Sequence, residues 1–236
     1  MQTLDISYEV SGRTCTGYLA DGSGDGPAPG ILVAHEGPGL GEHAKSRARM
    51  LADLGYVAFA LDLYGERDVP LETAMTYVRQ LRADRMEFRR RVRTAFDVLC
   101  GQPAVDLERL GAIGFCIGGM AVLELARSGA PVQAVVSFHG ALDTPSPEDA
   151  KHIRAKILAC TGADDPIVPP EQRAAFEQEM MAAGVDWQLH TYGGVGHSFT
   201  NPDADRFKMN GFAYSDAADR RSWQAMKELF EDVFGS

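Results

Sequence analysis

The sequence predicts an α/β fold, in which a mainly parallel central sheet carries helices on both faces. Short apolar segments alternate with helical patterns along the chain, which is typical of βαβ units. The right-handed crossover of such units puts helices on both sides of the sheet. Neither a fixed-period repeat nor a linker interrupts this pattern, so we expect a single domain over residues 1–236.

The first two strands are predicted from alternating apolar and polar residues on either side of a Ser11-Gly12 hairpin turn. A loop rich in glycine, proline and aspartate then covers residues 21–30. The later strands are short apolar runs, and the longest helical region has a break near Ala83-Asp84. In chain order, strands are expected at residues 3–10, 13–20, 31–34, 56–61, 110–115, 134–138, 156–161 and 186–191, and helices at residues 43–54, 70–99, 118–128, 170–183 and 216–234.

Composition limits the classes of function. The net charge of −10 argues against nucleic-acid binding, which needs a basic face. No apolar run approaches the roughly 20 residues of a membrane span, and the first residues lack the pattern of a secretory signal. The four cysteines show no zinc-like spacing, and Cys15, Cys100 and Cys160 are interpreted as buried structural thiols. We expect a cytoplasmic protein without metal or cofactor, while its oligomeric state is left open.

The strongest chemical signal is the segment Gly-Phe-Cys-Ile-Gly at residues 114–118. It follows an apolar strand and opens a helix, which is the context of a nucleophile elbow, here with cysteine in place of serine. The helix N-terminus favours a thiolate at Cys116, and the Ile117 N–H is a candidate donor to an oxyanion. The alternative without function is a tight strand–helix connection.

His197 is the predicted base for this nucleophile, because it lies in a glycine-rich loop where an imidazole has no role in the core. The other histidines after Cys116 are His139 at a strand end, His152 in a polar stretch and His190 within a strand. The alternative for His197 is an exposed loop histidine.

The acid that orients the base should lie between Cys116 and His197, after a strand. Asp164 and Asp165 compete for this role. We favour Asp165, which precedes Pro166, whereas Asp164 could cap the turn. Its function would be to hold the His197 tautomer and to stabilise the imidazolium.

A second oxyanion donor is expected after the strand at residues 31–34, where the Gly37 N–H is the candidate. The neighbouring Glu36 would point near the thiol and could accept its proton. The alternative for Glu36 is a surface carboxylate on a loop.

Together these residues resemble the dienelactone hydrolase family of the α/β-hydrolase fold, from about residue 30 to the last helix. The resemblance implies a Cys116–His197–Asp165 triad that cleaves a lactone or ester through an acyl-enzyme. It also implies that Glu36 draws the thiol proton when substrate binds. The matching segments are His35-Glu36, Asp62-Leu63-Tyr64-Gly65, Gly-Phe-Cys-Ile-Gly-Gly at residues 114–119, Gly162-x-x-Asp165-x-x-Val168-Pro169 and Gly196-His197-x-Phe199.

The chain departs from the family pattern after His197. Family members that cleave dienelactone hold its carboxylate with arginines, one of them shortly after the catalytic histidine. Here two aspartates intervene before Arg206. Other candidates for a carboxylate clamp are Arg79, Arg82 and Arg85, so the residues that bind substrate stay open.

Two other functions remain open. A small-molecule binding or redox-sensing protein could use Cys116 without turnover. A thioesterase or peptidase would keep the same triad and differ only in the pocket, whose side chains come from scattered loops. The preferred interpretation is a hydrolase of a small-molecule ester or lactone.

Overall fold

The structure is a computed structural model that describes residues 1–67 and 69–235. The chain divides into two compact units, Met1–Ile113 and Gly114–Ser236. One strand, β5 (Val105–Phe115), begins in the first unit and ends in the second. The single-domain interpretation stays a prediction.

In the first unit the strand order is β1-β2-β4-β3. β1 and β2 form an antiparallel hairpin whose turn has positive φ at Ser11 and Gly12, as the sequence predicts. β4 is antiparallel to β2 and parallel to β3. The elements of this unit are β1 (Gln2–Val10), β2 (Arg13–Asp21), β3 (Ala28–Ala34), α1 (Glu42–Asp53), β4 (Val57–Ala60), α2 (Leu71–Ala83) and α3 (Arg85–Cys100).

Helices cover the parallel part of this unit. Both α1 and α3 pack against β3, and all seven residues of β3 are buried. A strand that is buried at every position, rather than at alternate ones, is covered on both faces. The predicted break between α2 and α3 is confirmed at Asp84, whose side chain accepts a hydrogen bond from the Glu87 N–H at 3.0 Å and caps α3.

In the second unit the strand order is β6-β7-β8, and all three strands are parallel. β6 is buried at each of its five residues and contacts both α4 and α6. The elements of this unit are α4 (Ile117–Arg127), β6 (Ala134–Phe138), β7 (Lys156–Gly162), α5 (Pro170–Ala183), β8 (Trp187–Tyr192) and α6 (Asp216–Phe234).

The observed elements differ from the predicted ones in a few places. The loop expected at residues 21–30 ends earlier, because the Ala28 N–H bonds to the Ala104 carbonyl and β3 begins there. β5 begins at Val105, in a polar stretch that has no apolar signal. Short 3₁₀ turns at Pro147–His152 and Ala204–Phe207 were not expected. Among the described residues, no helix is both long and apolar enough to cross a membrane.

Candidate active site

Cys116 occupies a sharp turn between β5, which ends at Phe115, and α4, which begins at Ile117. Its backbone has φ +54° and ψ −117°, a conformation that is rare for any residue other than glycine. Backbone strain of this kind is found at catalytic sites, where the surrounding structure must hold it in place. The turn presents Cys116 at the N-terminal end of α4, and the Ile117 N–H lies in the first turn, where N–H groups lack partners within the helix.

Glycine is required on both sides of this turn. A side chain at Gly114 would collide with the Gly118 carbonyl, and one at Gly119 would collide with Ser137 and Gly140. The segment at residues 114–119 therefore has the close backbone packing that a nucleophile elbow needs.

His197 and Asp165 are joined in the interior of the second unit. The distance from His197 Nδ1 to Asp165 Oδ2 is 2.8 Å, and both side chains are buried. The other oxygen of Asp165 accepts the Ile167 N–H at 2.7 Å, which fixes the carboxylate. Because Asp165 accepts at Nδ1, the neutral imidazole carries its proton there, and Nε2 is the basic nitrogen. Asp164, the competing carboxylate, is exposed.

The electrostatic surroundings of His197 connect it to Cys116. Burial lowers the pKa of His197, but charge and hydrogen-bond interactions with Cys116 and Asp165 outweigh burial and raise that pKa to about 10. Nε2 is buried, and a side-chain interaction with Cys116 is among the contributions that raise the pKa of the ring.

A segment after His197 also contacts this residue, through its backbone and through its ring. The His197 N–H donates to the Gly211 carbonyl at 2.7 Å, and the Ala213 N–H donates to the His197 carbonyl at 3.1 Å. The half-buried Phe212 ring lies 4.5 Å from the imidazole, measured between centroids. No periodicity in the sequence marked this segment, so its contacts with His197 were not predicted.

Glu36 and Gly37 lie in the first unit, directly after β3. The Glu36 carboxylate is buried, with Oε2 3.7 Å from His43 Nδ1, so it is not the surface residue of the alternative interpretation. The Gly37 carbonyl accepts a hydrogen bond from the Tyr64 hydroxyl at 2.8 Å. The roles of Glu36 and of the Gly37 N–H toward Cys116 stay predictions of the sequence.

The motif residues around Glu36 fix the shape of its loop. His35 Nε2 accepts the Leu63 N–H at 3.1 Å, and Nδ1 lies 2.6 Å from the Glu36 carbonyl. Burial lowers the pKa of His35, which keeps the ring in the neutral form that can accept at Nε2. Asp62 Oδ1 accepts the N–H groups of Tyr64 and Gly65, each at 2.9 Å.

The arginines considered for a substrate clamp lie in different surroundings. Arg206 is exposed and pairs with Asp203 at 3.1 Å. Arg79 is exposed and bonds the Thr76 hydroxyl at 2.8 Å, while Arg82 and Arg85 are half-buried. None of these contacts assigns a clamp.

The remaining thiols agree with the prediction in two of three cases. Cys15 and Cys160 are buried, but Cys100, the last residue of α3, is only half-buried. Within residues 1–67 and 69–235 there is no group of three or more His, Cys, Asp or Glu side chains that could hold a metal ion.

Comparison with known families decides the membership of the chain. The model of the dienelactone hydrolase family matches residues 15–234. This chain belongs to the dienelactone hydrolase family. As a dienelactone hydrolase-family protein it is a hydrolase with the α/β-hydrolase fold, as the sequence motifs predict.

Individual relatives agree with this dienelactone hydrolase-family assignment. A dienelactone hydrolase-like promiscuous phosphotriesterase from metagenomic libraries has a TM-score of 0.93 and 40% sequence identity, over 98% of each chain. A protein of Bradyrhizobium sp named as a probable 2-oxo-3-(5-oxofuran-2-ylidene)propanoate lactonase is 28% identical, over 88% of this chain and 87% of its own. Dienelactone hydrolase from Anabaena variabilis shares the fold, with a TM-score of 0.71 and 24% identity over 98% of each chain.

Proposed function

We propose that this enzyme cleaves a lactone or carboxylic ester through a Cys116–His197–Asp165 triad. The observation that carries the proposal is the buried 2.8 Å hydrogen bond between His197 Nδ1 and Asp165 Oδ2, in a ring whose pKa responds to Cys116. A histidine with its Nδ1 proton held by a carboxylate has Nε2 free to act as general base.

In the first half of the reaction, His197 Nε2 takes the thiol proton and Cys116 Sγ bonds to the carbonyl carbon. The oxyanion that forms accepts a hydrogen bond from the Ile117 N–H at the start of α4. When the tetrahedral intermediate collapses, the ester C–O bond breaks, and the leaving alkoxide takes the proton from His197. An ester releases its alcohol and leaves a thioester at Cys116. A lactone opens and stays attached as the thioester, with its alcohol end free.

In the second half, His197 Nε2 takes a proton from water, and the hydroxide attacks the thioester carbon. The C–S bond breaks, the carboxylic acid leaves, and the proton on His197 returns to Cys116 Sγ. Asp165 keeps the same hydrogen bond throughout and stabilises the imidazolium formed in each half.

The test is turnover of p-nitrophenyl acetate and of a panel of lactones by wild type and Cys116→Ala. We expect the variant to lose at least about a thousandfold in kcat, since the acyl-enzyme of the proposed mechanism forms on the Cys116 thiol. Circular dichroism should show the same fold in both proteins. Turnover by a folded Cys116→Ala variant would refute the triad, and a single acylation of Cys116 without turnover would favour the binding or sensing alternative.

A phosphotriester is a second candidate substrate, because the relative of 40% identity is named a promiscuous phosphotriesterase. The same thiolate would attack phosphorus, form an S–P bond and expel the aryl oxide, after which water would cleave the S–P bond. Including an aryl phosphotriester in the panel tests this directly, and the candidate is rejected if no aryl oxide is released above the Cys116→Ala background.

We also propose a reducing, cytoplasmic location and a small-molecule substrate. All four cysteines are free thiols, including Cys100 and Cys116, which are partly accessible. Accessible thiols that stay unpaired are typical of a reducing compartment.

A further inference from the structure

His139 is a second histidine beside the candidate triad, and the mechanism above does not use it. It follows β6 directly and is fully buried. Its ring lies 5.2 Å from the His197 ring and 5.1 Å from the Phe199 ring, measured between centroids. The sequence predicted it only as the end of a strand.

One ring nitrogen of His139 contacts the backbone of the nucleophile. Nδ1 lies 3.1 Å from the Cys116 nitrogen and accepts its N–H, which it shares with the Phe138 carbonyl at 3.1 Å. A backbone N–H can only donate, so Nδ1 carries no proton in this arrangement.

The other ring nitrogen contacts the loop of the base. With Nδ1 unprotonated, the proton of the neutral ring is on Nε2, which donates to the Thr200 hydroxyl at 2.8 Å. Thr200 is buried and lies three residues after His197. The His139 ring thus bridges the turn of the nucleophile and the loop of the base.

The backbone of His139 is also in an unusual conformation. Its φ of +41° lies in the left-handed region, and its N–H donates to the Cys160 carbonyl at 2.8 Å. A residue other than glycine in this region is strained, and such a conformation persists where the surrounding contacts impose it. The ring of this strained residue is the one that contacts the Cys116 backbone.

We propose that His139 is a positioning residue that sets the distance between the Cys116 thiol and His197 Nε2. It acts through the two hydrogen bonds of one neutral ring, and it does not touch the substrate. The inference rests on the proposed triad. Small displacements of reacting groups reduce rate strongly, so losing either bond lowers kcat more than it changes KM.

The first experiment compares Thr200→Val with Thr200→Ser, using p-nitrophenyl acetate as substrate. Valine keeps the shape of threonine but removes the acceptor for His139 Nε2, whereas serine keeps the hydroxyl. We expect kcat to fall about tenfold in Thr200→Val and to stay within about twofold in Thr200→Ser, with KM within about threefold in both.

The second experiment compares His139→Asn with His139→Gln. The asparagine oxygen is two bonds from Cβ, as Nδ1 is, so Asn can still accept the Cys116 N–H, and Asn tolerates positive φ. Glutamine places its amide one bond further out, toward Thr200. We expect the kcat of His139→Asn to match that of Thr200→Val, and the kcat of His139→Gln to be about tenfold lower still. The rate at which iodoacetamide alkylates Cys116, followed by peptide mass spectrometry, should fall in the same order.

Thermal unfolding of each variant separates positioning from stability. If activity per folded molecule is equal in Thr200→Val and Thr200→Ser, or equal in His139→Asn and His139→Gln, the positioning role is wrong. Should the His139 variants fail to fold, the Thr200 pair still decides the question. A folded Cys116→Ala variant that retains activity would overturn the proposed triad itself. If Cys116→Ala is inactive and Thr200→Val is fully active, only the role of His139 is overturned.

Discussion

The conformation of Cys116 illustrates what individual residues contribute to this site. A cysteine at φ +54° is strained, and the strain is held by the close packing of Gly114 on Gly118. Asp165 contributes in a different way, because one of its oxygens is fixed by a backbone N–H and the other orients His197. In both cases the local backbone fixes the position of a side chain of the proposed triad.

At this scale we predict that Asp165→Asn lowers kcat by about a thousandfold or more, while the fold is kept. The amide can present its NH₂ group to His197 Nδ1, which favours the tautomer with the proton on Nε2 and removes the base. Single-turnover kinetics with p-nitrophenyl acetate would measure the loss. The matched control is Asp164→Asn at the exposed neighbour, which should stay within about twofold. Comparable losses in the two variants would contradict the assignment of the acid.

Two helices of the second unit are tied together by a buried ionic cluster. Arg127 in α4 binds both oxygens of Glu179 in α5, at 2.7 and 2.8 Å, and Glu124 at 3.0 Å. It also donates to the Leu142 carbonyl at 3.0 Å. Since α4 begins at the Cys116 turn and α5 follows the Asp165 loop, this cluster links the helices behind two parts of the candidate site.

We predict that Arg127→Met lowers the free energy of unfolding by about 3–5 kcal/mol, because it leaves two carboxylates buried without their cation. Guanidinium unfolding followed by circular dichroism measures the change. The control is Arg220→Met, which removes the exposed pair with Asp216 in α6 and should change the free energy of unfolding far less. The interpretation is wrong if both substitutions lower the free energy of unfolding by the same amount.

For the whole molecule, the buried thiols couple stability to alkaline pH. Burial raises the pKa of Cys160 to about 12, with a smaller opposing effect of the Tyr192 hydroxyl. Burial also raises the pKa of Cys15 to about 12. In the unfolded chain both thiols would ionise near about 8.5. The stability that comes from keeping them protonated is therefore complete below about pH 8.5 and is lost as the pH rises toward 12.

We predict that the stability gap between wild type and Cys160→Ala narrows above about pH 8.5, by up to about 1.4 kcal/mol per pH unit. The wild type must keep a buried thiol protonated while its unfolded state releases the proton, and the variant has no such thiol. Urea unfolding at several pH values between 7 and about 10 measures the gap, and the range below pH 8 serves as the internal control. Parallel curves over the whole range would contradict the prediction.

The sequence by itself determined the class of fold, most element boundaries and the family. Apolar runs at β3, β6 and β7 and the break at Asp84 are local signals, since strand burial and helix capping depend on neighbouring residues. The elbow at Cys116 was also readable, because its glycines are needed for a turn that spans only a few residues. The start of β5 was not predicted, because the strand begins in a polar stretch that has no apolar signal.

Only the tertiary structure decided which side chains meet. The 2.8 Å bond that distinguishes Asp165 from Asp164 depends on the path of two separate loops. The bridge from Cys116 through His139 to Thr200 joins residues from three segments that no spacing rule connects. Hydrogen bonds across such distances in sequence depend on the packing of strands and helices, whereas propensity and periodicity report only what lies within one element.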